Sequence, residues 1–405
     1  MEKYEKYKPS GIEWIGEIPE HWNLATVGRV TNIGRGRVIS NIEIGENEGE
    51  YPVYSSQTEN NGVMGYLNTF DFEGEYVTWT TDGANAGTVF HREGKFNCTN
   101  VCGTIQPKNW NQIDLRFLPY FLNLGTRYSV RLDINPKLMN NMMAKIPFII
   151  PPTEEQTSIA SFLDSKTSVI DKIIANKQKL ITLYKEEKQA VINKAVTKGI
   201  NPDVKLKPSG VEWLGDVPKH WDVKKLKYIV TLITEKSDGE EIKIALENIE
   251  SKTGKYIKSN SVFEGDGIHF NIGYILYGKL RPYLAKVWVS EFEGSAVGDF
   301  FVLKLLKNYN SNFLKYRLLS TSFTNVANGS TFGAKMPRVG WDFMSDLYFA
   351  FPKLEEQETI VFFIEQECNR IDLIIEKYKK QIELFLEYRI TLISDVVTGK
   401  IKVSI

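Results

Sequence analysis

Side chains of the types that read the edges of nucleic-acid bases collect in a few glycine-punctuated stretches of this sequence. In the first third they are Arg35 and Arg37 around Gly36, then Ser55, Ser56, Gln57 and Asn60 ahead of Gly62. Thr80, Thr81 and Asn85 follow ahead of Gly87. Arginine presents a two-pronged donor to guanine, asparagine and glutamine match adenine, and hydroxyls suit either. A second set lies further on: Lys279, Arg281 and Tyr283 beside Pro282, then Ser330, Thr331, Lys335 and Arg338. Its cations would meet phosphates, with base contacts nearby. Serine, asparagine and glycine also fill ordinary turns, so composition alone leaves both readings open. For Arg281 the competing reading is an ion pair with a neighbour such as Asp299 on the protein surface.

Catalytic constellations are missing by contrast. There is no phosphate-cradling G-x-x-x-x-G-K-[ST] loop, no G-x-G-x-x-G after a strand and no H-E-x-x-H. Asn135-Pro136 is followed by Lys137 rather than the second proline and aromatic of an adenine amino-methyltransferase motif. The acidic stretch Asp238-Gly239-Glu240-Glu241-Ile242-Lys243 matches a nuclease metal site only loosely. His21 and His220 each precede a tryptophan in a repeated phrase with no nucleophile beside them, which reads as structural. Cys98, Cys102 and Cys368 form an odd set without C-x-x-C spacing, so a disulfide framework or zinc site is not expected. The chain reads as non-catalytic, with no cofactor or metal of its own.

The elements that must position the polar loops come in duplicate. Lys8-Pro9-Ser10-Gly11-Ile12-Glu13-Trp14-Ile15-Gly16-Glu17-Ile18-Pro19-Glu20-His21-Trp22 returns as Lys207-Pro208-Ser209-Gly210-Val211-Glu212-Trp213-Leu214-Gly215-Asp216-Val217-Pro218-Lys219-His220-Trp221, ten of fifteen positions identical. Pro152 with Glu154-Glu155-Gln156 is echoed by Pro352 with Glu355-Glu356-Gln357, and Val196–Ile200 by Val397–Ile401. Between these frames, roughly 23–150 and 222–351, no comparable identity appears, so each half is a common frame around its own insert. Prolines and glycines make the repeated opening phrase an extended arm that its tryptophans would pack onto a domain.

A heptad seam falls on Ile170, Ile174, Lys177, Ile181, Tyr184, Lys188, Val191 and Ala195, and 201 positions later on Ile371, Ile375, Tyr378, Ile382, Phe385, Arg389, Leu392 and Val396. Neither helix can bury its stripe alone, which predicts that the copies pair. The first copy reads as helical from Thr167 to about Val196, and about 27 helical residues span ~40 Å, near one turn of B-DNA. Within the inserts, Glu75–Thr80 and Thr88–Phe90 read as strands around a polar loop, and Asn271–Tyr277 as a strand leading into the Lys279–Tyr283 loop.

Fifty basic and fifty acidic residues cancel, and no basic tail exists, which excludes a generic polyanion binder. No long apolar run or leader-like segment is present, and the expectation is a cytoplasmic protein without membrane contact.

The repeated arm and the Glu-Gln-headed helices together resemble the specificity subunit of type I restriction-modification enzymes, over essentially the whole chain. The resemblance implies an α+β fold: two globular β-rich target-recognition domains linked by two long helices forming an antiparallel coiled coil, with a pseudo-two-fold internal repeat. The expected boundaries are 1–152 and 201–352 for the recognition domains and 153–200 and 353–405 for the helical regions. Each domain would read one half of an asymmetric bipartite site in double-stranded DNA. Two methyltransferase (modification) subunits using S-adenosylmethionine would dock on the common regions, and ATP and Mg would serve only restriction/translocase subunits. Base-reading residues in the family vary with the target, so no contact carries over residue by residue. Three other readings stand beside it: a DNA-binding transcriptional regulator with an internal duplication, a stand-alone restriction enzyme, and a coiled-coil scaffold. Covalent duplication with diverged inserts argues against the first, and the missing motifs against the second. Diverged polar loops argue against the third.

Overall fold

The computed structural model describes residues 2–131, 135–237, 242–259, 265–331, 333 and 336–403. The chain forms two compact units, one of residues 1–176 with 380–405 and the other of 177–379. The split falls inside the two long helices, Thr153–Lys198 and Leu354–Val397, so each unit holds the beginning of one and the end of the other.

These helices are longer than the heptad seam predicts, 46 and 44 residues. The first starts directly after Pro152 and the second one residue beyond Pro352, since proline cannot sit deeper in a helix, and both carry two glutamates in the first turn, where the backbone dipole favours negative charge. The seam misses these first turns because they bury into a domain core instead: Ile159, Ala160 and Leu163 in one unit, Ile360, Val361 and Ile364 in the other. Each helix stops at a glycine in the left-handed region, Gly199 at φ +75° and Gly399 at φ +76°. At Gly399 a Cβ would also lie 2.4 Å from a Pro19 ring carbon.

Within each unit the two helix segments run antiparallel. In the first unit Asp171 meets Arg389 at 3.2 Å, and Ile170, Ile174, Phe385, Leu392 and Val396 share one hydrophobic cluster. In the second unit Glu187 meets Arg370 at 3.0 Å, Lys188 meets Asp372 at 2.7 Å, and the rings of Tyr184 and Tyr378 lie 6.0 Å apart. Ile170, Ile181, Ile371, Ile375, Leu392 and Val396 are buried, whereas Ile174, Tyr184, Val191, Tyr378, Ile382 and Phe385 are half-buried. Ile192 lies deeper than its seam neighbour Val191 because it enters the core of the second unit.

The frames match and the inserts do not. Each arm folds back as a two-stranded hairpin rather than a single extended segment, Tyr7–Pro9 with Glu17–Pro19 and Leu206–Pro208 with Asp216–Pro218. Next, Asn23–Thr26 pairs antiparallel with Pro147–Ile150, and Asp222–Lys225 with Tyr348–Phe351. The first insert is a six-stranded sheet in the order Thr31–Arg35, Cys102–Pro107, Phe72–Thr80, Val89–Cys98, Tyr51–Tyr54, Val63–Leu67. The second insert divides into a four-stranded sheet, Val230–Ile233, Phe300–Leu305, Ile275–Gly278, Val287–Val289, and a three-stranded one, Lys243–Ile244, Gly294–Val297, Gly267–Phe270. The strand expected from Asn271 begins only at Ile275, because Gly273 at φ +82° forms a turn there.

Candidate nucleic-acid interface

The repeated phrases close a latch that anchors each insert to its helix. His21 Nε2 lies 2.6 Å from Glu155 Oε1, while the Trp22 indole N–H and the Tyr4 hydroxyl donate to Oε2 at 3.0 and 2.8 Å. In the second unit Glu356 receives Trp221 at 3.0 Å and lies 2.7 Å from His220. The following glutamine is buried in both copies. Gln156 accepts the Asp114 amide at 2.9 Å and donates to the carbonyls of Gln112 and Pro151 at 2.9 and 2.8 Å. Gln357 accepts the Asn310 amide at 2.8 Å and donates to Pro352 and Asn308 at 2.9 and 3.4 Å. Both histidines and both Glu-Gln pairs are therefore structural.

Burial would raise the Glu155 carboxyl, but hydrogen bonds from His21, Trp22 and Tyr4 outweigh it and hold the pKa below the ordinary range. Such a group stabilises the folded state above its unfolded pKa, and the contribution disappears as pH falls through the lowered folded value. The expected result is that Glu155→Gln lowers the melting temperature of the first unit at neutral pH, and that the gap to the parent chain closes in acid. Melting curves from pH 7 to pH 3 check this; a gap that stays constant would refute it.

In the first unit, three of the polar loops singled out in the sequence converge on the turn that joins Cys98 to Cys102. The Gly36 and Arg37 amides donate to Cys102 and Cys98 at 3.0 and 3.1 Å, Thr99 donates to Tyr54 at 2.8 Å, and Thr81 to Val101 at 3.0 Å. Arg35 Nε donates to the Asn100 carbonyl. Arg37 is held between Glu43 at 2.6 Å and Asp71 at 2.9 Å. Ser55 receives the Thr99 hydroxyl at 3.3 Å, Ser56 is half-buried, Gln57 donates to the Val63 carbonyl, and Asn60 takes φ +48° in an exposed turn. Thr80 and Thr81 are buried, and Thr80 closes its own turn by donating to the Asn85 carbonyl and receiving Thr88 N–H at 3.1 Å. Those two threonines shape the loop, while the Asn85 side chain stays exposed.

Two features of this unit escaped sequence reasoning. The Cys98–Cys102 turn is the hub, yet its residues carry no motif. Arg92, 3% exposed, stacks on Tyr54 at 3.6 Å and Phe90 at 4.4 Å, and its Nε donates to Thr78 at 3.2 Å. Nothing in the local sequence marks it as buried, because a charged side chain in a strand reads as facing solvent. The three cysteines are buried free thiols.

In the second unit, Lys279 and Arg338 converge on one carboxylate. Arg338 forms a two-pronged pair with Asp299 at 3.1 and 2.9 Å, and Lys279 Nζ is 3.9 Å from Asp299. The sequence had offered Asp299 to Arg281; the structure gives it to Arg338, and Arg281, at φ +50°, makes no ion pair with it. Arg281 and Tyr283 are exposed. Ser330 and Thr331 finish the helix Thr321–Gly329, donating to Ala327 and Asn328 at 2.9 Å each. Lys335 and the acidic stretch 238–241 lie outside the described residues. Among the described residues no group of three His, Cys, Asp or Glu side chains could hold a metal, and no helix is long and apolar enough to cross a membrane.

A duplicated frame that latches two different β-rich inserts onto paired helices defines a class of proteins with two recognition modules. The family model for the type I restriction modification DNA specificity domain matches residues 19–183 and again 218–384, and the chain belongs to that family. A Mycoplasma pneumoniae protein assigned to the N-terminal part of a type I specificity subunit is 47% identical over 137 residues, 34% of this chain and 73% of its own length. The specificity subunit of the Escherichia coli type I restriction enzyme EcoDI is 24% identical over 379 residues, 87% of this chain and 82% of its own. A chain solved in work on complex assembly and conformational transition of the type I R-M system shares the fold, with a TM-score of 0.72 at 11% identity over 95% of this chain and 99% of its own. The family has two recognition domains per chain and is non-catalytic.

Proposed function

We propose that this chain reads an asymmetric, bipartite site in double-stranded DNA for a type I restriction-modification enzyme, one half-site for each of the domains 1–152 and 201–352. The observation that carries this reading is that the same His-Trp-Glu-Gln latch holds inserts of different topology, so the two modules share their anchoring and differ in what they present. The helical regions 153–200 and 353–405 set the distance between half-sites through their seam. On their outer faces Leu180, Leu183, Leu373 and Leu384 are exposed, and two modification subunits dock there. Methyl transfer from S-adenosylmethionine then belongs to those subunits, and ATP- and Mg-dependent translocation and cleavage to restriction subunits, all in the cytoplasm. The neutral overall charge suits a protein whose DNA contacts are confined to loops and whose remaining surface meets other subunits.

Exchange of residues 23–150 for the corresponding insert of a relative is the test. Methylome sequencing of a strain carrying the hybrid should show one half-site changed and the other intact. Changes in both halves, or methylation that ignores the exchange, would overturn the reading.

A further inference from the structure

Three of the four arginines singled out in the sequence already have acceptors on the protein: Arg35 on Asn100, Arg37 on Glu43 and Asp71, Arg338 on Asp299. Arg281 is exposed, and its side chain makes no hydrogen bond or ion pair with any described residue. Its backbone is in the left-handed region, φ +50° and ψ +62°, where a non-glycine residue is strained by its own Cβ. A glycine would adopt this conformation without penalty, so the side chain is kept at an energetic cost.

The surroundings hold that strained backbone rigidly. The Arg281 amide donates to Pro337 at 2.7 Å, its carbonyl accepts Leu284 at 2.9 Å, and Lys279 is tied to Asp299 and Val339 through backbone bonds of 2.9 and 3.0 Å. Pro282 is buried and fixes the next turn, which ends at Ala285, also left-handed at φ +45°. The segment that anchors Arg281 is itself clamped, because Arg338 follows Pro337 directly and its guanidinium is gripped by Asp299. Phosphate can be met by a loose point charge on a flexible arm, but a base edge requires a planar fork delivered to within about half an ångström. The rigid backbone, free guanidinium and 45% exposed Tyr283 two residues on fit the second task.

We propose that Arg281 is the guanine-reading, specificity-determining residue of the second recognition domain, and that the Arg338–Asp299 pair is its positioning clamp. This rests on the DNA-reading function proposed above.

The test uses the full chain assembled with its modification subunits and duplexes carrying the site defined by methylome sequencing. Arg281→Lys keeps the charge but loses the fork. Arg281→Gly removes the side chain and relieves the strained φ, so a folding failure is not expected. Both should lose about 10–100-fold of discrimination at one guanine of one half-site, with the other half-site unchanged. Placing 7-deazaguanine there should weaken binding by the parent complex and add nothing to Arg281→Gly. Asp299→Asn should give a smaller loss at the same guanine, which a purely structural role would not localise. Uniform weakening with a salt slope lower by about one unit would make Arg281 a phosphate contact and overturn the proposal. Unchanged discrimination would overturn it too. A parent complex with no sequence-selective binding would instead overturn the broader function, an outcome separable from the first two.

Discussion

Trp221→Ala is expected to destabilise the second unit by about 4–5 kcal/mol, a large part of what a domain of this size possesses. The indole is fully buried and meets Phe313 edge-on with ring centroids 5.9 Å apart, in a cluster with Leu314, Phe349, Phe351 and Ile360. Truncation opens a cavity among rigid aromatic neighbours that cannot collapse into it. It also removes the donor that Glu356 receives at 3.0 Å. Trp221→Phe refills most of the volume and should recover about half of the loss. Because Trp22 occupies the same place in the first unit, fully buried and 3.0 Å from Glu155, Trp22→Ala should have the same effect there. Peptide-resolved hydrogen exchange on the complete chain separates the two: each substitution should remove protection mainly from its own unit. A loss below about 1 kcal/mol for Trp221→Ala would mean that the latch is not what holds the insert to the helix.

Gln156→Leu is the second large effect, expected at about 3–4 kcal/mol from a substitution that changes little volume. The glutamine satisfies three backbone groups, the Asp114 amide and the carbonyls of Gln112 and Pro151, at 2.8–2.9 Å. Leucine, at a position that is itself fully buried, takes the side-chain partner from all three, and a polar group left unpaired beside a buried apolar side chain costs more than the bond it once made contributes. Gln156→Glu tests the same geometry differently, since it keeps the acceptor for Asp114 but removes both donors and adds a buried charge. Gln357→Leu should cost somewhat less, because its bond to Asn308 is already long at 3.4 Å. Chemical denaturation monitored by tryptophan fluorescence measures these losses. A shift under about 1 kcal/mol for Gln156→Leu would show that the three backbone groups find other partners.

The duplication was legible in the residues themselves. Ten identical positions in the fifteen-residue arm, the repeated Glu-Gln pair and a seam returning after 201 positions require two copies of one frame, because periodicity and local phrases are properties of the chain alone. That the helices pair also followed, since an isolated apolar stripe needs a partner. Helix length did not follow: the turns from Thr153 bury into a domain core, whose surface is assembled from strands distant in sequence. Nor could sequence show why the pair Glu-Gln recurs, because its partners His21, Trp22, Asp114 and Gln112 reach it only after folding. Among the polar loops, residue type identified which side chains were capable of reading DNA. Only the tertiary structure decided that Thr80 would turn inward, that Arg37 and Arg338 would be occupied by carboxylates, and that Arg281 would stand exposed on a strained, pinned backbone. Ion pairs and burial depend on which segments the fold brings within a few ångströms, and no spacing along the chain encodes that distance.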